Sequence, residues 1–459
     1  MPIHLATFCV ALCCVCMAAR AGDVPITVDF AKPAGKIKPL HGVNNGPLAV
    51  GENPDLSVYH AEAAFPHTRL HDCRWPAPDV VDVPCIFPIF DADPDDPKNY
   101  CFAKTDDYLA AILKNKSQII YRLGTSIEIK TKYFIHPPKD FPKWAKICVN
   151  IIRHYNEGWA NGFRHNIRYW EIWNEPEINL MWLGTREQYF QLYETAARAI
   201  KAHDANLKVG GPAATNVGSA IVKPFLALCR DRNVPLDFFS FHGYYNVPGF
   251  LSRDAVKARA LLDEYGFKTT ESHLNEWHFL RSWNELRPKD ASKYPTVREA
   301  FAKTCNADGA AFCATALMQF QDAPLDVANF YCADTSPWSM FDTFGVPSKV
   351  YTSFKAFAQL AATPDRVVCE GAPDDVVVCA GTSADKKTAT ILLSNFRSAQ
   401  QSVAVSLKNL PSQMRAEISV LDATRDLERT REENVAGEKA MLKIDLASAT
   451  VVLVRLSTQ

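Results

Sequence analysis

Two motifs in this chain of 459 residues place a carboxyl group at the abrupt end of an apolar run. Tyr169-Trp170-Glu171-Ile172-Trp173-Asn174-Glu175-Pro176 closes on an amide, a carboxyl and a proline, and His273-Leu274-Asn275-Glu276-Trp277 ends a second run further along. Proline interrupts a strand, so Pro176 should hold Glu175 at the rim of the sheet that carries it. Burial beside Trp173 would disfavour the charged form of Glu175 and raise its pKa. That suits an acid that keeps its proton until a leaving oxygen takes it. Two carboxyls about 5–5.5 Å apart across a sugar, one protonated and one ionised, can cleave a glycosidic bond with retention. Glu175 is therefore the candidate acid/base and Glu276 the candidate nucleophile. Glu171 and Glu271 lie mid-strand or at the wrong strand end and read as structural.

Other residues at run ends fit the same chemistry. Asn174 can hydrogen-bond the hydroxyl beside the reacting carbon, a contact that strengthens as charge develops. Arg69, in Thr68-Arg69-Leu70-His71-Asp72, is a cation that could keep Glu276 ionised. His242 and Tyr244, in Phe241-His242-Gly243-Tyr244, could orient the nucleophile. Tyr331, with Trp338 and Trp182 in loops, could give a sugar-stacking surface. His71, at the same run end as Arg69, joins them as a candidate substrate-binding residue.

The elements that must position these groups follow from periodicity. Eight short apolar runs, at 40–44, 68–71, 118–123, 167–173, 207–211, 236–242, 270–275 and 327–332, alternate with amphipathic segments. Trp144, Ile147, Cys148, Ile151, Ile152 and Tyr155 form one helical stripe, with Asp140 as cap and Pro142 in the first turn. Thr185-Arg186-Glu187-Gln188 is a capping-box pattern ahead of Tyr189, Leu192, Tyr193, Ala196 and Ile200. Ile221, Val222, Phe225, Leu226 and Cys229 make a third stripe. Alternation of this length predicts an α/β fold, a (β/α)8 TIM barrel over residues 37–360, with catalytic groups at the carboxyl ends of its strands. A doubly wound open sheet fits the same periodicity. Beyond residue 361 the runs at 366–369, 376–380, 389–394, 402–407, 417–421, 441–444 and 451–456 are β-branched and separated by turns, predicting a β-sandwich over 361–459. Residues 22–36, through the run 26–30, should add a strand to it.

Composition narrows the classes. Hydrophobic residues are 47% and charged residues 22%, enough for a large core. The formal net charge is −1 with no basic block, so nucleic-acid binding has no electrostatic support. Residues 1–21 read as a signal peptide ending at Ala19-Arg20-Ala21, too short to span a membrane, which points to a secreted or periplasmic protein. Four of fourteen cysteines fall in that segment, and the ten that remain permit disulfides, most readily among Cys73, Cys85 and Cys101, which share one long loop. Cys148, Cys229 and Cys313 lie on apolar helix faces and read as buried thiols. Asp91-Ala92-Asp93-Pro94-Asp95-Asp96 lacks the glycine and the closing glutamate of a calcium loop and reads as solvated. No metal-ligand spacing, phosphate loop or dinucleotide motif appears, so neither metal nor cofactor is expected. Asn115-Lys116-Ser117 is a sequon.

His41-Gly42-Val43-Asn44-Asn45-Gly46-Pro47, Arg69-Leu70-His71, Trp173-Asn174-Glu175-Pro176, His242-x-Tyr244 and Asn275-Glu276-Trp277 together resemble glycoside hydrolase family 39, over about residues 37–360. The resemblance implies a barrel whose fourth and seventh strands end in the catalytic glutamates, a retaining mechanism, and an oligosaccharide or polysaccharide substrate of the kind met by β-xylosidases and α-L-iduronidases. Two departures stand out: Tyr331 where the xylosidases usually carry Trp, and the long segment 72–104. The expected activity is β-xylosidase-like. An iduronidase-like enzyme would need a basic residue such as Arg281 at the sugar carboxylate. An endo-acting enzyme would need an open groove, and a non-catalytic carbohydrate-binding barrel would bind without turnover.

Overall fold

The computed structural model describes residues 24–49, 54–73, 80–286, 290, 292, 294–437 and 440–458. The expected signal peptide lies outside them.

Eight parallel strands close on themselves: β2 (Gly42–Asn44), β3 (His67–Leu70), β4 (Gln118–Leu123), β5 (Tyr169–Ile172), β6 (Lys208–Ala214), β7 (Phe238–Tyr245), β8 (Glu271–Phe279) and β9 (Val327–Phe330), after a leading strand β1 (Val24–Lys36). Each falls on one of the eight apolar runs. β2 pairs with both β3 and β9, and that closure rules out the open doubly wound sheet. Helices cover the outside as the stripes require. Phe141–Asn156 starts at Asp140, whose side chain accepts from the Lys143 N–H at 2.9 Å. Arg186–His203 carries the full capping box, Gln188 N–H to Thr185 at 3.2 Å and Thr185 N–H to Gln188 at 2.8 Å.

The second unit is a nine-stranded sheet in the order β15-β14-β17-β12-β11-β10-β1-β13-β16. Its remaining strands are β10 (Asp365–Glu370), β11 (Val376–Thr382), β12 (Thr388–Asn395), β13 (Ser402–Lys408), β14 (Met414–Leu421), β15 (Asp426–Val435), β16 (Met441–Asp445) and β17 (Thr450–Thr458). All nine contribute to a single buried cluster, so the sheet curls until its halves face each other. The join is β1, antiparallel to β10 on one side and parallel to β13 on the other. A sandwich of two sheets is thereby made continuous.

One strand escaped the sequence pattern. β15 is almost wholly exposed and charged, and it pairs only with β14. Charges on an edge strand block pairing with other chains, and here Glu432 faces Arg415 and Arg429 while Arg431 lies 3.0 Å from Glu433.

The two units share a core. The helix Ala307–Gln319 is buried nearly all round, and Cys379, Leu392, Leu421, Val451 and Leu453 of the sheet pack in the same cluster as the barrel helices. Thr315 bonds Ser394 at 3.0 Å across the boundary.

None of the ten described cysteines is bridged. The bridge anticipated among Cys73, Cys85 and Cys101 does not form: Cys73 is buried, its thiol donating to Asn45 at 3.0 Å, while Cys101 is exposed. Cys148, Cys229 and Cys313 are buried thiols as expected. The acidic loop is solvated, Asp95 pairing with Lys146 at 2.9 Å and Asp93 capping its own turn. Among the described residues no helix is long and apolar enough to cross a membrane.

Candidate active site

At the carboxyl ends of the barrel strands the polar side chains gather round one arginine. Arg69, the third residue of β3, is fully buried. Its Nε donates to Glu171 at 2.6 Å, Nη1 to Glu276 at 2.8 Å and to Asn44 at 3.1 Å, and Nη2 to Asn174 at 2.7 Å. A buried charge persists only when paired on all sides. Burial works against this guanidinium, yet Glu171 and Glu276 more than offset it and hold its pKa above the ordinary value. Asn275 on β8 donates to the other Glu171 oxygen at 2.7 Å, and Asn44 Nδ2 donates to the Asn275 carbonyl at 2.9 Å. Strands β2, β3, β5 and β8 are laced together beneath the site.

The chain leaves β5 through a strained turn. Trp173 and Glu175 both adopt left-handed backbone, with φ of 72° and 41°, a conformation that costs a non-glycine residue on the order of 1 kcal/mol. Two main-chain bonds hold it, Trp173 N–H to Leu123 at 2.7 Å and Glu175 N–H to Ala213 at 3.0 Å. The turn sends the two side chains apart. Trp173 goes into the core, its indole donating to the Met181 carbonyl at 2.9 Å and packing against Trp182 and Trp144. Glu175 stays half-buried at the rim. Its carboxylate meets His242 rather than the indole anticipated from sequence.

His242 Nδ1 lies 2.8 Å from Glu175 Oε1 and 3.4 Å from Glu276 Oε2. One donor atom of each of the three residues lies within 4.8 Å of the others. Burial keeps the imidazole pKa below its ordinary value despite the pull of Glu276. Tyr244 donates its hydroxyl to Glu276 Oε2 at 2.8 Å, and burial keeps that phenol protonated. Both oxygens of Glu276 are thus held, one by Arg69 and one by Tyr244. Burial pushes the Glu276 carboxyl up, His242 and Arg69 pull it down, Glu175 pushes it up again, and the net lies above the ordinary glutamate value. Arg69 alone does not restore a normal carboxylate.

The remaining candidates surround this pair. His71 Nε2 is 3.8 Å from Glu276, and Tyr331 donates to Asp72 at 3.1 Å with its ring 6.4 Å from His71. Trp338, half-buried, stands at right angles to Tyr244 with ring centres 5.7 Å apart. Trp182 does not belong here: it is buried, bonded to the Thr185 carbonyl at 2.9 Å, and edge-on to Trp173. Three contributors went unassigned in the sequence, namely Asn44, Asp72 and Asn275, while Glu171, read there as structural, is the buried partner of Arg69. For Glu171 a signal existed. Alternation along β5 puts it inward with Tyr169, and a carboxylate inside a barrel must find a cation. Glu271, by contrast, sits at the start of β8 with Lys208 and His273, whose hydrogen bonds overcome its burial and hold it at a pKa of about 2.

Glu175, His242 and Glu276 are the group of described residues close enough to hold a metal ion. The donor set argues against that use, because Arg69 places a full positive charge 2.8 Å from the Glu276 carboxylate and Tyr244 occupies its other oxygen.

Residues 81–363 match the family model described as glycosyl hydrolases family 39. The chain belongs to this family. Among curated relatives, this family-39 chain is 39% identical over 113 residues to a β-xylosidase of Geobacillus stearothermophilus, a stretch covering 24% of this chain and 22% of that enzyme. It is 27% identical over 259 residues to a β-xylosidase of Caldicellulosiruptor saccharolyticus, covering 52% and 50%. The matched stretches thus span half or less of those relatives. Among solved structures, a glucosidase from Croceicoccus marinus superposes with a TM-score of 0.82 at 25% identity, covering 95% of this chain and 99% of that one.

Proposed function

We propose that the protein is a retaining, β-xylosidase-like glycosidase in which Glu276 is the nucleophile and Glu175 the acid/base. The observation that carries this reading is the spacing. Oxygens of the two carboxyls lie within 4.8 Å of each other, close to the ~5–5.5 Å of retaining enzymes and well short of the ~6.5–9.5 Å that leaves room for a water in inverting ones.

The reaction runs in two displacements. A Glu276 oxygen attacks the anomeric carbon, the bond to the leaving oxygen breaks, and that oxygen takes the proton from Glu175. An ester now links the sugar to Glu276. Glu175, ionised, takes a proton from water as the water attacks the same carbon, which frees the sugar and restores both carboxyls. Asn174, whose Oδ1 accepts from Arg69 at 2.7 Å, would contact the sugar hydroxyl next to that carbon. We take the sugar as neutral: Arg281, one of the basic loop residues that could read a uronate, lies 3.7 Å from Glu285. Export by removal of residues 1–21 is part of the same proposal, and N-terminal sequencing of the released protein should begin at Gly22.

A screen of aryl β-xylosides, β-glucosides, α-L-arabinosides and uronides tests the substrate, with Glu276→Gln as the inactive control. A fluorosugar substrate should leave its glycosyl mass on the peptide that carries Glu276. Turnover without trapping, or a label elsewhere, defeats the assignment.

A further inference from the structure

Two aromatic side chains are left in water in a loop bonded to the one that carries the acid/base. Tyr133 is 72% exposed and Phe134 49%, in the loop that follows β4, and Ile129 of that loop and Leu183 of the next are exposed beside them. Single exposed apolar residues need no explanation, but these four belong to two loops bonded to one another. Leu183 N–H donates to the Ile135 carbonyl at 2.8 Å and Glu128 N–H to the Leu180 carbonyl at 3.0 Å. Lys132 donates to the Asn179 carbonyl at 3.2 Å. The second loop carries Glu175, whose carbonyl accepts from the Ile178 N–H at 3.1 Å.

The backbone that carries the aromatic pair is also held in place. The Glu128 carboxylate accepts the backbone N–H of Tyr133 at 2.8 Å and of Phe134 at 3.1 Å, and Lys132 closes the turn on the Glu128 carbonyl. Holding their backbone in one conformation before a partner arrives removes part of the entropy of binding it. Their flanks are polar, with Lys130, Thr131 and Asn179 all exposed. Lysine is depleted from the cores of protein interfaces. Apolar ring faces bordered by hydrogen-bonding groups match a pyranose, which has C–H faces and a hydroxyl rim.

We propose that Tyr133 and Phe134 form a stacking platform for sugar residues on the leaving-group side of Glu175, so that the preferred substrate is a neutral oligosaccharide continuing beyond the bond cleaved. The side follows from the proposed role of Glu175, on which this inference rests, because the acid protonates the oxygen of the departing sugar. Binding energy from such remote units can be used to lower the barrier at the reacting carbon.

The test is a chain-length series in the full-length protein: an aryl monoglycoside and β-linked xylo- and cello-oligosaccharides of two to five units, with wild type and Tyr133→Ala/Phe134→Ala. In wild type kcat/KM should rise with chain length. The double variant should lose about tenfold on the longer chains and stay within about twofold on the aryl monoglycoside. Glu128→Gln, which weakens the clamp without removing the rings, should show the same pattern at smaller size. Equal loss on all substrates, or none on any, overturns the proposal. So does a wild-type dimer in sedimentation that the double variant dissolves with unchanged kinetics, since the rings would then be a subunit contact. If wild type cleaves no glycoside, the reading of Glu175 has failed instead, and calorimetry then decides. Loss of oligosaccharide affinity in the double variant upholds the platform, and unchanged affinity rejects it.

Discussion

At the residue scale, the proposed chemistry depends on the ionisation of one buried carboxyl. Glu276 must be charged to attack, and its pKa lies above the ordinary glutamate value because burial outweighs Arg69 and His242. Activity should therefore fall as pH drops through a point higher than that of a free glutamate, measured as the acid limb of kcat/KM. Arg69→Lys keeps a charge but not the four-way fork, so that limb should move further up. An unmoved limb would show that another group sets it. Tyr244→Phe removes the donor to Oε2 and should lower kcat by roughly tenfold to a hundredfold while the fold, read by circular dichroism, is kept. The two glutamates were legible because each breaks an apolar run. Their partners were not. That Arg69 bridges Glu171 and Glu276 depends on the register in which β3, β5 and β8 are assembled, and no local pattern encodes that.

At the element scale, the barrel strands and helices were legible because short continuous apolar runs alternate with stripes of period 3.6 and the helices are capped in the usual way. β15 was not, because a run from Asp426 to Val435 rich in arginine and glutamate has neither strand propensity nor an apolar face. Its role is to end the sheet. Replacing Arg429, Arg431 and Glu433 by valine should raise self-association, read by light scattering, with little change in the proposed glycosidase activity. In the helix Ala307–Gln319, a Cβ on Gly309 would lie 1.9 Å from the Thr304 carbonyl oxygen. Gly309→Ala should thus destabilise the protein by about 1–3 kcal/mol, visible as a lowered melting temperature. An unchanged melting temperature would mean the preceding turn gives way freely.

At the scale of the whole molecule, barrel and sheet were separable in the sequence but are not separate in space. The change of texture near residue 361 marks where strand–helix alternation ends; it says nothing of the core that continues across. Leu392, Leu421 and Leu453 pack with the barrel helices, and Ala307–Gln319 lies between the two units. Heating should therefore give one cooperative transition in calorimetry, and two resolved peaks would contradict the shared core.

The place of β1 sets an order of events during synthesis. The first described strand to leave the ribosome sits inside the sheet, flanked by β10 and β13, and both neighbours are translated only after the entire barrel. Its backbone must wait, unpaired, for most of translation. The sheet that holds the first described strand is thus among the last parts to be finished, and whatever holds that stretch out of trouble meanwhile acts before the protein has its shape.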